Sequence, residues 1–444
     1  MSNIYLENYE ERDGAYFKNG KKITNFTAKV KKIIMPDDDS VQFLFEVCID
    51  GKSYTQKVPF DKICRTKFLQ DLPVVIEEEL FYKDFAKIVQ EMDFSANDIL
   101  YQTNQNGIQK VNGEWIFVFT NGSITANGFN SKIYSDVQGA YIPPEAVVDM
   151  NKNKETVKKL FQEYNRNPYV FYPIFLLNLM AIASKYFRII GETEFMKLTI
   201  WLDGCSGSGK TELAKAVGTY TYADEALNSN LVSVTGKRNY VMESLCKSSG
   251  RIFVLDDVKR EMVRERKNSV HNIVDDCLRS VFQGKMTDVF DRQSTPQMID
   301  TCALVTGEYI GTEESQNARL MYLNVDGFLK SKKDSETLRV LQKNPIWLTI
   351  TCCGYAQWLL GKMEDDNFHQ LLVDKLEEIR CNPKEYGDIG NAARLNENEH
   401  MLEMAGTMAE MYFKEIGLTN EFIGKFHTYT ILSIEESVIK LLPC

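Results

Sequence analysis

Between Gly204 and Thr211 the chain reads GCSGSGKT, preceded by the apolar run KLTIWL and followed by ELAKAVGTY. Gly204, Gly209, Lys210 and Thr211 fill the spacing G-x-x-x-x-G-K-[ST]. Each residue type answers a need of phosphate chemistry. Glycines, with Ser206, Gly207 and Ser208 between them, let backbone N–H groups wrap an anion, and the start of the following helix adds the positive end of its dipole. Lys210 would reach the β and γ phosphates of ATP, and Thr211 would offer its hydroxyl to Mg2+. The alternative is a glycine turn carrying an idle lysine, which does not explain the apolar run on one side and the helix-forming run on the other.

A site of this kind needs a second apolar strand ending in an acid, and RIFVLDDV supplies one. Asp256 would hold the metal together with Thr211. Asp257 stands where hydrolytic enzymes of this type commonly place a glutamate that polarises the attacking water; its competing reading is a helix N-cap after the strand.

These residues require strands and helices in alternation to position them. Residues 195–326 read that way, with strands expected at Lys197–Leu202, Leu231–Thr235, Ile252–Leu255, Ala303–Thr306 and Leu320–Val325. The expected fold is therefore α/β, a P-loop NTPase with a parallel-sheet core. Ahead of it, residues 1–143 read as a β-rich domain. Strands are expected at Ile23–Ile34, Val41–Ile49, Ser53–Val58 and Glu114–Thr120, with Asp50-Gly51 and Asn121-Gly122 as hairpin turns. Residues 144–194 read as a helical linker broken near Asn167-Pro168, and 327–444 as a helical C-terminal lid whose clearest amphipathic helix is Glu397–Glu415.

The chain has 444 residues, more than one ordinary core accommodates. Its 44% hydrophobic and 26% charged residues are those of a globular protein. The run Pro168–Ala183 is apolar but interrupted and shorter than a membrane span needs, so a buried helix and no membrane partner are expected. The acidic start MSNIYLENYEERDG does not read as a signal peptide. Ten cysteines without a CxxC pair fit a reducing compartment, and the expected location is cytoplasmic. A net charge of −10 argues against a surface coated in nucleic acid but leaves room for a local basic channel. Six lysines between Lys18 and Lys32, with no acid among them, read either as a solvated strand face or as a nucleic-acid contact.

The order of motifs resembles the AAA+-type helicase ATPases of phages and mobile elements, within an uncharacterised bacterial family related to mini-chromosome-maintenance-like and superfamily 3 helicases. The resemblance spans roughly residues 110–415. It rests on ALVTGEY (Ala303–Tyr309), ARLMYLNV opening at Arg319, GEWIFVF, SVTGKRNYVMESL and the QGK segment Gln283–Lys285. It implies that Thr306 stands at a sensor position orienting the attacking water, where asparagine is common. It implies that Arg319 is an arginine finger reaching a neighbouring subunit's γ-phosphate, and that Arg394 is a second sensor contributing to the nucleotide site. The interval from Lys285 to Met298 would carry a pore hairpin, with Lys285 and Arg292 as its cations. KREMVRERK (Lys259–Lys267) offers a second basic patch or a solvated helix face.

Three functions follow as expectations. The first is an oligomeric motor, a hexameric ring, that hydrolyses ATP with Mg2+ and moves along or opens single-stranded or duplex DNA. The second is an ATP-driven switch or remodeller acting on a protein partner, as in a phage-defence system. The third, a small-molecule kinase, has no use for the sensor and finger positions.

Overall fold

The computed structural model describes residues 2–3, 9–37, 40–63, 69, 72–77, 80–91, 99–137, 139–192, 195–222, 231–258, 270–286, 297–308, 319–384 and 392–439. The chain divides into two units, residues 1–104 with 131–136, and residues 105–130 with 137–444.

In the first unit a six-stranded mixed sheet joins β1 (Ser2–Asn3), β5 (Phe26–Pro36), β6 (Gln42–Ile49), β7 (Lys52–Pro59), β8 (Ile99–Thr103) and β13 (Ile133–Ser135). A small sheet of β2 (Glu10–Arg12), β3 (Ala15–Lys18) and β4 (Lys21–Lys22) accompanies it. Asp50 and Gly51 close the β6–β7 hairpin with φ of 48° and 78°, the left-handed pair that matches strand twist. Phe43, Phe45, Val47 and Ile49 alternate inward on β6 and share a core with Phe81 and Phe85 of α2 (Leu80–Glu91); a short α1 (Phe60–Ile63) follows β7.

The boundary expected at residue 143 falls elsewhere. β9 (Gly107–Val111), β10 (Glu114–Phe119), β11 (Gly122–Thr125) and β12 (Gly128–Asn130) form an antiparallel sheet that belongs to the second unit. The reason lies in β10, where Ile116 to Phe119 are all buried. A strand buried on both faces needs cover on both, and Phe117, Phe119 and Ile124 join the main core of the second unit.

That unit is built on a parallel sheet of β14 (Thr199–Asp203), β15 (Leu231–Ser233), β16 (Phe253–Val258), β17 (Ala303–Gly307) and β18 (Leu320–Asn324), in the order β15-β16-β17-β14-β18. All five strands expected from sequence are present, with ends shifted by a residue or more. Ile200, Leu202, Val254 and Leu304 face one core. Trp201, Phe253, Leu255 and Val305 face the other, against α6 (Arg238–Cys246) and α7 (Val270–Gln283). The phosphate-loop sequence runs into α5 (Lys210–Val217).

The segments expected as linker and lid form one helical body. α3 (Met150–Tyr164) and α4 (Pro168–Ile189) pack with α9 (Ile346–Leu360), α11 (Ala392–Glu415) and α12 (Asn420–Ile439); α8 (Lys332–Lys343) and α10 (Asp366–Arg380) flank them. α4 has 22 residues and is apolar enough to cross a membrane, but 94% of its most apolar stretch is buried inside the protein. Its one mid-helix amide, Asn178, donates to Ile174 O at 3.0 Å and to Val217 O at 3.1 Å, tying the end of α5 to the bundle.

Candidate functional site

Parallel strands put all their C-terminal ends on one edge. Asp203 is level with Gly307 and with Asn324, and Ser233 is level with Asp256. The loop Gly204–Gly209 leaves β14 at this edge and enters α5. Gly209 takes φ of +93°, and a Cβ there would lie 2.6 Å from Leu329. A Cβ on Gly204 would lie 2.7 Å from Ser208 Oγ and 3.0 Å from Asp326 Oδ1. Only glycine fits either position. Lys210 Nζ donates to the carbonyls of Gly204 and Cys205, the latter at 2.9 Å, so the ammonium is folded over the loop. Ser208 is buried, and its hydroxyl has no hydrogen-bond partner among the described residues.

The acid strand reaches the same edge through a β-bulge. Between the pairs Leu255↔Val305 and Val258↔Gly307 one extra residue is accommodated on β16, and Asp257 absorbs it with φ of +71°. A left-handed aspartate carries backbone strain of the kind concentrated at functional sites. The bulge also answers the N-cap reading, because Asp257 lies inside the strand. Asp256 Oδ1 accepts from the Thr211 hydroxyl at 3.0 Å and from the Thr306 hydroxyl at 2.5 Å. Thr306 in turn accepts from the Asp257 N–H at 3.0 Å. The side chain expected to orient water is buried and bridges the two aspartates, its single hydroxyl proton given to Asp256.

The two arginines lie at the other edge. Arg319 immediately precedes Leu320, which is level with Thr199 at the start of β14. Five residues of strand, on the order of 16 Å, separate it from the level of its own phosphate loop. Arg394 stacks over the Phe282 ring at 5.8 Å in the last turn of α7. That turn ends beside Gly284, whose carbonyl accepts from Ile299 N–H and which abuts Lys197, both ahead of the strands. Asn398 of the same helix, α11, donates to Leu320 O at 3.5 Å. Within one chain both arginines stand at the edge opposite the Gly204–Thr211 loop. Lys285, exposed, sits at this edge too. Lys285 and Met298 form an antiparallel bridge and Met286 N–H donates to Gln297 O at 3.0 Å, so the ends of the interval expected as a hairpin are paired. Arg292 and the run Lys259–Lys267 lie outside the described residues.

In the first unit, Lys31 is paired with Glu46 at 2.8 Å, and Lys29 is the cross-strand neighbour of the same acid. The lysine stripe is thus partly neutralised, which favours the solvated-face reading.

Sequence reasoning missed two features of the loop edge. Lys237 and Tyr240, at the start of α6, are exposed, Tyr240 by 55%; the signal was the basic-aromatic run KRNY inside a segment noted only for its resemblance. Asp326 accepts from Cys205 N–H at 2.6 Å, and nothing in its sequence neighbourhood announced it. The Cys205 thiol and N–H, both donating, hold the Asp326 carboxyl below its usual range, and the same contact raises the thiol.

The residues fit a nucleoside triphosphate with magnesium. A loop that excludes every Cβ at its two ends, an orphaned Ser208 hydroxyl, a folded-back lysine and a helix start share one edge with a hydroxyl–carboxylate pair, Thr211 and Asp256. The pair is hard oxygen chemistry, suited to an ion that takes its remaining ligands from phosphates and water.

No protein-family model matches the chain, and no curated protein matches it. Among solved structures it is similar to one described as SCCmec type IV Cch, an active helicase. The TM-score is 0.61 at 14% identity, covering 98% of this chain and 79% of that one. The two share a fold. Two structures of JCV helicase, one with an inhibitor bound, align over 64% and 58% of this chain and 73% of theirs. They are 14% and 16% identical, and their TM-score of 0.24 carries no argument.

Proposed function

We propose that this protein is a nucleotide-hydrolysing, DNA-directed motor of the helicase type, working in the cytoplasm as a ring of subunits. The observation that carries the reading is the convergence of Gly204–Thr211, Asp256, Asp257 and Thr306 on one edge of a parallel sheet. Lys210 binds the β and γ phosphates, and the loop amides and the α5 N-terminus cradle them. Thr211 and Asp256 hold Mg2+, which when bound offsets charge on the phosphates. Asp257, fixed by its strained backbone and by Thr306, orients the attacking water. Thr306 acts on that water through Asp257 rather than by touching it.

The position of the arginines supports the ring reading. Arg319 and Arg394 share the edge remote from their own loop, so any nucleotide they serve is a neighbour's. Lys285 on that edge supplies a charge for a single strand, and the exposed Lys237 and Tyr240 on the loop edge supply a cation and a stacking face. The helicase-like fold agrees with this.

A second reading, an ATP-driven remodeller of a protein partner, is favoured by the net charge of −10 and by the Lys31–Glu46 pair. One experiment separates the two. ATP turnover is measured with and without single-stranded DNA, at low and moderate salt, for the wild type and for Lys210→Ala. Turnover should vanish in the variant and rise with DNA in the wild type. Normal turnover by folded Lys210→Ala would overturn the nucleotide site; absence of both stimulation and salt-sensitive DNA binding would move the function to the remodeller.

A further inference from the structure

After β18 the chain crosses the mouth of the phosphate loop. Asp326 meets its first turn, accepting from Cys205 N–H at 2.6 Å and lying where a Cβ on Gly204 would come within 3.0 Å. Leu329 meets its end, packed where a Cβ of Gly209 would stand. The crossing segment is itself held in shape. Asp326 N–H donates to Asn324 Oδ1 at 2.8 Å, Gly327 turns with φ of +79°, Phe328 is buried in the core, and Ser335 Oγ donates to Leu329 O at 2.9 Å. It continues into α8, where Gln342 donates to Glu212 of α5 at 3.0 Å.

We propose that residues 324–331 form a strap that holds the phosphate loop in its binding conformation, with Asp326 as the positioning residue. This rests on the loop being a nucleotide site. The loop is rich in glycine, with Gly207 and Gly209 left-handed, so an unrestrained loop samples many conformers and binding must select one. The Asp326 carboxylate removes that freedom at the first turn, through a backbone donor that any residue at position 205 would offer. Asp326 is itself exposed, so its replacement leaves the core intact.

The test uses the full chain. The Kd for Mg-ATP by calorimetry should rise about tenfold in Asp326→Ala, the equivalent of about 1.4 kcal/mol, with turnover at saturating ATP reduced far less. Asp326→Asn, which keeps an acceptor oxygen, should restore most of the affinity. Unchanged affinity in folded Asp326→Ala overturns the proposal.

A second arm is independent of nucleotide. Thiolate is the reactive form of cysteine, and Asp326 disfavours it at Cys205, so the rate of Cys205 alkylation, mapped by mass spectrometry, should increase several-fold in Asp326→Ala. If the wild type binds no nucleotide but alkylation speeds up, the contact is real and the nucleotide reading has failed. If alkylation does not change, the strap itself is refuted.

Discussion

The two edges of the five-stranded sheet carry different kinds of residue. Where the strands end lie the phosphate loop, Thr211, Asp256, Asp257, Thr306 and Asp326, joined by short hydrogen bonds into one constellation. Where they begin lie Arg319, Arg394 and Lys285, joined to their own chain by a ring face, a helix and a strand start. One edge is complete enough to hold a ligand within the chain. The other gathers cations on the side of the sheet away from that constellation. A sheet about 16 Å deep along its strands keeps them apart.

Arg319→Ala is the largest expected break in that comparison. Turnover should fall by roughly 10³, and mixing Arg319→Ala with Lys210→Ala subunits should restore part of it, because the two defects then fall in different sites. With co-assembly demonstrated, a mixture as inactive as its components would place Arg319 outside the chemistry.

Asp257→Asn should bind ATP normally and hydrolyse it about 10²-fold more slowly, acting on the loop edge alone. Normal hydrolysis would leave the bulge as a purely structural device and direct attention to Glu308, next along the chain after Gly307.

Asn178→Ala tests how α5, the helix that leaves the loop, is anchored at its far end. It leaves Val217 O at the end of α5 without its side-chain donor in a fully buried place, and the protein should lose about 1–3 kcal/mol of stability by chemical denaturation. A loss of no more than about 0.3 kcal/mol, far below that of a buried unmade hydrogen bond, would show that the α4–α5 tie is dispensable.

The smallest effect belongs to the first unit. Replacing Lys29 and Lys31 with alanine should change single-strand affinity by less than about twofold, since Glu46 already pairs with Lys31 and lies beside Lys29. Replacing Lys285 should lower the salt dependence of binding, by a slope near 0.7 for each phosphate released. The opposite ranking would put the nucleic-acid contact on the strand face of the first unit.

By itself the sequence determined the strand, glycine-rich loop and helix around Gly204–Thr211, the strand that carries Asp256 and Asp257, and the five parallel strands, because each is written in consecutive residues. Glycines where dihedrals are left-handed, a lysine and a hydroxyl at a helix start, and unbroken apolar runs where both faces of a strand are covered are local demands with local signatures. The Asp50-Gly51 hairpin was legible for the same reason.

Tertiary structure alone decided the rest. Residues 105–130 belong with the second unit because their apolar faces find cover there, which no local pattern specifies. Linker and lid merged because α4 is apolar all round and needs helices on every side, including ones more than 200 residues later. Thr306 bridges Asp256 and Asp257 because β17 lies between β14 and β16, and a bulge rotates the second acid. Asp326 reaches Cys205 across 121 positions of sequence only because β18 pairs in register with β14. Arg394 stands at the far edge because α11 docks at the start of β18. Each of these is a matter of which distant surfaces pack together, and packing is settled by the whole chain at once.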